Sequence, residues 1–493
     1  RQYPEGTEYV LSNLTARGSR IEGVTHTINF GLQYFLKSWI EEAWAPFFAA
    51  DEDEVAALYE EFTTSVLGPN QIGSDHIREL HRLGYLPLRF RALPEGARVP
   101  LRVPYFTVEN TKPEFFWLTN YIETAMSAVV WHPSTSATTA DRFRGLLDAW
   151  AIKTTGSTAG VSWQGHDFSF RGMEGIDAAA ASGAGHLLSF TGSDNLNVVN
   201  FVENYYPGDN GLILGSVAAT EHSVMCAGAS LAPLNAEGKI DEISTYERIL
   251  DIYPTGIVSA VSDTYDLWEV LTSVLPRLKD KILARDGKLV IRPDSGDPVD
   301  ILTGEGEHPE ALKLRAEAGE DPNARPWEKG VIELLWETFG GTVNEQGYKV
   351  LDPHIGAIYG DSITFDRATA IFERLEAKGF ASTNVVFGVG SYTYQYVTRD
   401  TFASAVKATW VQINGEGHSI FKDPITDNGT KKSARGRLAV IWDGDDYRLV
   451  DGGAGAKIEG GVDDMLNTVW EDGEFKKFYT LDEIRQNLHP EGL

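Results

Sequence analysis

Four short apolar runs between residues 250 and 400 each stop abruptly on charge, glycine or hydroxyl. "GIVSAVSD" ends on Ser262 and Asp263, "KLVIRPD" on Arg292, Pro293 and Asp294, "GAIYGDS" on Gly360, Asp361 and Ser362, and "NVVFGVGS" on residues 388–391. Amphipathic stretches separate the runs, the alternation that β-α-β units with parallel strands produce. The stretch after "GAIYGDS" carries the pattern in full. Residues 355–359 read as a strand, Thr364 as a helix N-cap and Phe365, Ala368, Ile371, Phe372 and Leu375 as one apolar stripe; Gly379 is the stop and 385–387 the next strand. Parallel strands deliver their carboxyl ends to one rim, the active-site face of such folds. Asp263, Arg292, Asp294, Asp361 and the glycines of 388–391 are therefore expected to meet in space. Backbone demands of a turn explain Pro, Asp, Ser and Gly in "RPDSGDP", but not Arg292.

A chain of 493 residues is too long for one compact core, so two domains or one elaborated barrel are expected. With 71 acidic against 43 basic residues the formal charge is −28, which argues against nucleic acid or an anionic membrane as partner. An anionic substrate must then be held by locally concentrated cations. Cys226 is the only cysteine, so no intrachain disulfide can form, and a reducing, cytoplasmic setting is expected. The longest charge-free stretch, 178–193, is rich in Gly, Ala and Ser and makes a poor membrane span; no signal peptide is expected at the start. The acidic, Gly- and Pro-bearing stretch after residue 300 reads as a surface insertion, and after 410 the text turns to strands.

One arginine with two carboxylates on a rim suits a phosphorylated sugar: the guanidinium fork takes phosphate oxygens, and Asp accepts from ribose hydroxyls or holds Mg²⁺. Each pair taken singly is also an ordinary turn or surface ion pair; four together point to a site. "FGVGSYTYQYVTRD" places a glycine pair directly after a strand, where backbone N–H groups can approach a phosphate, and Arg399 and Lys407 follow. Of the basic residues in "FKDPITDNGTKKSARGRL", Lys422 and Lys431 suit phosphate binding, while Lys432 and Arg437 read as a solvated loop. In "HDFSFRG", Phe168 suits stacking on a planar ring and Arg171 a phosphate; Asp194 in "TGSDN" suits an amide N–H. His222 in "ATEHSV" is a nucleophile or base if a carboxylate such as Asp263 orients it; alone, a histidine is more often structural.

"FTVENTKPEFFWLTNYIET", "HDFSFRG", "EHSV", "VSDTYD", "IRPDSGDP", "GDS", "TRD" and "FKDPITD", in order and over essentially the whole chain, resemble the nicotinamide phosphoribosyltransferases. The resemblance implies a type II phosphoribosyltransferase fold: an irregular α/β barrel over 156–399 carrying the site, and a β-rich and helical domain built from 1–155 and 400–493. It implies transfer of ribose 5-phosphate from phosphoribosyl pyrophosphate to nicotinamide, in NAD biosynthesis, with Mg²⁺ as cofactor and ATP as co-substrate. A homodimer with active sites at the subunit interface is also implied. Carried over, Phe168 stacks on the pyridine, Asp194 accepts from the carboxamide, and Arg171 and Arg292 face the pyrophosphate or phosphate. Asp294, Gly360 and Asp361 face ribose and metal, and Gly390, Ser391 and Arg399 hold the 5-phosphate. Lys407, Lys422 and Lys431 lie near the phosphates, and Ser259 and Ser362 complete the substrate-binding set. His222, paired with Asp263, matches the histidine that ATP phosphorylates.

Ser391 and Tyr392 stand where the family's phosphate loop has glycines, and Ala405 or Ser404 where it has a serine. The family's Asp-x-Tyr-Lys segment would fall just before Arg1. Two rival readings are a nicotinate phosphoribosyltransferase and a non-catalytic phosphosugar-binding barrel.

Overall fold

The computed structural model describes residues 2–493 other than 70–72, 233, 235–237, 239, 306–324, 361, 427, 428, 430 and 454–463. The chain separates into two compact units. Arg1–Thr138, Val198–Gly211 and Val397–Gly492 form the first; Thr139–Asn197, Leu212–Tyr396 and Leu493 form the second.

A seven-stranded sheet organises the first unit, in the order Glu416–Ser419, Ser404–Ile413, Thr7–Ala16, Pro104–Asn110, Leu88–Ala92, Asn467–Glu471 and Glu474–Phe475. Every neighbouring pair is antiparallel. Leu88–Ala92 alternates buried and half-buried residues, the mark of a strand with one face on the core. All seven residues of Pro104–Asn110 are buried, so that strand is covered on both faces. Phe35, Phe90 and Trp470 pack edge-on at the centre, with ring centroids 6.4 and 6.0 Å apart. The segment Val198–Gly211 adds Phe201 against Tyr34 at 4.7 Å and Tyr206 against Phe30 at 5.4 Å. Glu95 is buried beneath the short helix Leu32–Phe35, and its Oε1 accepts from the Gln33 N–H at 2.8 Å. Burial pushes its carboxyl up to about 7, against hydrogen bonds from that backbone and from Tyr206.

The second unit is built on seven parallel strands, in the order Gly192–Ser193, Gly165–Asp167, Val385–Val389, Ile355–Tyr359, Asp286–Arg292, Thr255–Val261 and Ala218–Ala219. The two outermost strands are joined by one stretch of chain. Gly215 bridges in parallel to Gly192, with Ser193 N–H donating to Gly215 O at 3.0 Å, while Ala218 and Ala219 pair with Val258 and Ser259 at the other side. Residues 215–219 thus lie along both margins and the sheet closes on itself. Leu289, Ile291, Ala260, Val261, Tyr359 and Phe387 are buried within it. The helix Phe365–Ala377 has the sequence-expected form: Thr364 accepts from Arg367 N–H at 3.2 Å, Ala368, Ile371, Phe372 and Leu375 are buried, and Gly379 has φ 74°. Most of the expected surface insertion lies outside the described residues. Among the described residues no helix is long and apolar enough to cross a membrane.

Candidate active site

All seven parallel strands of the second unit lead to one rim, and each leads to at least one residue singled out above. Phe168 follows Gly165–Asp167, Asp194 follows Gly192–Ser193, His222 follows Ala218–Ala219, and Asp263 follows Thr255–Val261. Arg292 closes Asp286–Arg292 with Asp294 beyond it, Gly360 follows Ile355–Tyr359, and Gly390 and Ser391 follow Val385–Val389. Asp361 lies outside the described residues.

A cavity of about 550 Å³ opens beside the Phe168 ring, lined also by Phe170, Arg171, Met173, Asp194 and Asn195. The ring rests on two glycines. A Cβ at Gly360 would come within 3.3 Å of it, and one at Gly388 within 2.7 Å of Cε2, closer than real side chains approach. Gly388 therefore serves the aromatic wall, whereas the sequence reading placed it with the phosphate loop. Gly390 has open space where a Cβ would lie, and Ser391 sits directly against the Cα of Gly172, next to Arg171.

Asp194 is the cavity's carboxylate. Its Oδ1 accepts from His166 Nε2 at 2.9 Å and from Ser216 Oγ. Burial raises its pKa, but those two donors and the nearby Arg292 charge outweigh it, holding the carboxyl below the usual Asp value. Burial pulls the Arg292 guanidinium below its ordinary value, opposed by Asp294, Asp194 and Asp263, while the neighbouring Arg171 adds to the lowering. Arg292 Nη2 donates to Thr220 O at 3.0 Å, and Nε is buried with no protein partner. A buried guanidinium N–H without an acceptor is costly unless a ligand supplies one. Ser259 is likewise buried with an unpartnered Oγ.

Asp263 Oδ2 accepts from Asp294 N–H at 2.8 Å and Ser295 Oγ at 2.6 Å, which ties two strand ends together. Its Oδ1 has no hydrogen bond and faces His222 Nε2 at 4.0 Å; His222 Nδ1 lies 3.1 Å from Thr264 Oγ1. His222 opens the helix His222–Ala229 and is half exposed. The expected His222 and Asp263 pair is thus adjacent, at a distance too long for a hydrogen bond. Ser362 takes φ 51°, and its carbonyl accepts from Arg367 Nη1 at 2.7 Å, which holds that strained backbone. Among the described residues no group of three or more His, Cys, Asp or Glu is arranged to hold a metal ion.

The first unit holds the remaining cations. A cavity of about 210 Å³ is lined by Asn13, Thr15, Arg17, Arg102, Lys407 and Lys432. Burial lowers the Lys407 pKa, Glu123 opposes this at 3.7 Å, and the charges of Arg17, Lys422 and Arg399 lower it further. Arg399 is held by Asp400 at 3.2 Å. Lys431 is exposed on the same loop. Lys432, expected in a solvated loop, lines this cavity and pairs with Asp423 at 3.1 Å; Arg437 pairs with Glu109 at 2.7 Å over the Trp410 ring. His166, Ser216, Thr220 and Arg17 were missed by sequence reasoning. His166 stood inside a quoted motif, but its partner is 28 positions away.

The profile of the nicotinate phosphoribosyltransferase (NAPRTase) family matches residues 163–474, well over half of the chain. The chain belongs to that family. It is 49% identical to the nicotinamide phosphoribosyltransferase of Acinetobacter baylyi over 99% of this chain and 94% of the relative. It is 35% identical to that of Mycoplasma pneumoniae, over 88% of this chain and 92% of the relative. Among solved structures, the nicotinate-nucleotide pyrophosphorylase of Pyrococcus furiosus superposes with a TM-score of 0.55 at 15% identity, covering 98% and 89% of the two chains. Human nicotinic acid phosphoribosyltransferase gives 0.51 at 16%, covering 99% and 90%. These likenesses establish the type II phosphoribosyltransferase fold, an irregular α/β barrel with a second, strand-rich domain, and the family makes the protein a phosphoribosyl-transferring enzyme.

Proposed function

We propose that the protein transfers ribose 5-phosphate from phosphoribosyl pyrophosphate to nicotinamide, giving nicotinamide mononucleotide and pyrophosphate, with ATP hydrolysis coupled through a phosphohistidine at His222. The observation that carries the choice of nicotinamide is Asp194: a carboxylate held ionised at the cavity wall accepts from a carboxamide N–H and repels a carboxylate. Phe168 on its glycine seat offers the flat wall for the pyridine. The ring nitrogen attacks C1 of the ribose, the bond from C1 to the pyrophosphate oxygen breaks, and the leaving group takes the electron pair. Arg171 and Arg292 stabilise the charge growing on it.

Mg²⁺ fits this donor set when it is bound largely by substrate phosphates, since that ion needs only one or two carboxylates and keeps several waters. Asp294 and Asp361 are the carboxylates that the proposal gives to the ion. When bound, the ion neutralises negative charge on the pyrophosphate. The cation group of Arg17, Arg399, Lys407 and Lys422 suits phosphate oxygens, with Lys431 on its loop. For the phosphohistidine, His222 closes its 4.0 Å gap to Asp263 so that Oδ1 orients Nε2, and Nδ1 exchanges its contact with Thr264 for the terminal phosphorus of ATP, which it attacks as ADP departs. A homodimer with active sites at the subunit interface belongs to the same proposal. Mixing inactive Arg292→Ala and Lys407→Ala proteins then restores part of the activity; no recovery refutes the shared site.

Nicotinate transfer is the second reading, favoured by the name of the matched family and by the human fold neighbour. The test is product analysis with phosphoribosyl pyrophosphate and either pyridine, with and without ATP. Nicotinamide mononucleotide, formed faster with ATP, is expected; preferential use of nicotinate overturns the proposal, and no pyrophosphate release with either pyridine leaves a phosphosugar binder. His222→Ala is expected to keep slow basal transfer and lose both the ATP effect and phosphoenzyme, and unchanged coupling overturns the phosphohistidine role.

A further inference from the structure

We propose that His166 and Ser216 are positioning residues that set pyridine specificity by occupying one oxygen of Asp194 and leaving the other to the substrate. The inference rests on the proposed reading of Asp194 as the acceptor of the pyridine carboxamide.

A carboxylate offers about two lone-pair sites on each oxygen, and it can rotate to exchange the oxygens' roles. At Asp194 both protein donors, His166 Nε2 at 2.9 Å and Ser216 Oγ, go to the same atom, Oδ1. Oδ1 is filled by them, and rotation would break both bonds. Oδ2 is thereby left to accept from whatever enters the cavity that Asp194 lines. The tautomer follows from the partner: a carboxylate oxygen only accepts, so His166 Nε2 carries the hydrogen.

The two donors come from opposite sides of the barrel closure. His166 lies on the strand Gly165–Asp167, next to Gly192 in register; Ser216 lies in the stretch that runs along both margins of the sheet. His166 is buried, and its ring lies so close over Gly192 that a Cβ there would come within 2.6 Å of Nδ1, so the absence of a side chain at 192 is what seats the ring. The same imidazole packs against Phe168, with ring centroids 5.0 Å apart at 63°. One side chain therefore braces both the wall for the ring and the acceptor for its amide.

The test is a comparison of steady-state constants for Asp194→Ala, His166→Ala, His166→Gln and Ser216→Ala with nicotinamide and with nicotinate. His166→Ala is expected to raise the nicotinamide KM on the order of 10-fold, as loss of one charge-assisted bond does. It is also expected to lower the preference for nicotinamide over nicotinate, while kcat and the phosphoribosyl pyrophosphate KM stay within about 3-fold. His166→Gln, whose amide N–H reaches the position of Nε2, restores much of the preference. Ser216→Ala, at an exposed position, gives a smaller shift in the same direction and is safe for folding. If Asp194→Ala raises the nicotinamide KM but His166→Ala and Ser216→Ala leave both KM and preference unchanged, the inference is overturned while the reading of Asp194 stands. If Asp194→Ala itself changes neither, that reading falls and takes this inference with it. Should His166→Ala fail to fold, the Gln and Ser216 variants decide.

Discussion

Phe168 lies over the Cα atoms of Gly360 and Gly388, so its position depends on two absent side chains in neighbouring strands. Gly388→Ala is expected to push the ring into the cavity: the KM for the pyridine rises 10-fold or more, while phosphoribosyl pyrophosphate binding, followed by calorimetry, changes little. An equal loss for both ligands would show a general collapse of the rim. The sequence contained this glycine but not its use, because a glycine after a strand reads the same whether a phosphate or a phenyl ring comes close. Arg292 was legible for the opposite reason. No turn requires an arginine, so its presence at the end of an apolar run had to come from something in space. His166 and Ser216 were illegible, since hydrogen bonds to Asp194 from 28 and 22 positions away have no periodicity to betray them.

Whole elements were easiest to read where one period runs through many residues, as in Phe365–Ala377, whose cap, stripe and stop all appear in the sequence. They were hardest where an element is too short to have a period. Gly192–Ser193 and Ala218–Ala219 are two residues each, yet they carry the sheet to closure. The short helix Leu32–Phe35 has a cap that no local pattern shows, because the carboxylate on its first N–H groups is Glu95, about sixty residues on. This has a pH signature. An acid whose native pKa is raised from 4.5 to about 7 favours the fold fully below pH 4.5, and that contribution is lost as pH rises through 7. The first unit is expected to lose up to roughly 3 kcal/mol between those limits, and Glu95→Gln to flatten the dependence in denaturant titrations at several pH values. A dependence unchanged in the variant would assign it to other groups.

At the scale of the molecule, a formal charge of −28 surrounds the sites to which the proposed function assigns pyrophosphate. On the proposed function, the mean field repels the substrate at long range, and contact cations such as Arg292 and Lys407 hold it at short range. Salt screens the two unequally, since the Debye length is about 8 Å at 0.15 M and paired, half-buried charges are screened least. Between about 10 and 150 mM salt, at fixed Mg²⁺, kcat/KM for phosphoribosyl pyrophosphate is expected to hold or rise. A steep fall would mean that the local cations already govern the encounter. The fold class was visible in the alternation of runs and amphipathic stretches, and the charge told that cations must be gathered; which cations gather, Arg17 with Lys407 among them, needed coordinates.

Because the strands of the second unit form a ring, its weakest point is the seam at residues 215–219, where a single bridge and two short pairings complete the circle. Ser216 sits within that seam and Thr220 and His222 just past it, so any transient unzipping there disassembles the ligand's surroundings first. Occupancy of the cavity should in turn keep the seam shut, slowing amide hydrogen exchange at Ser193 and Gly215 while the interior strand Asp286–Arg292 exchanges as before.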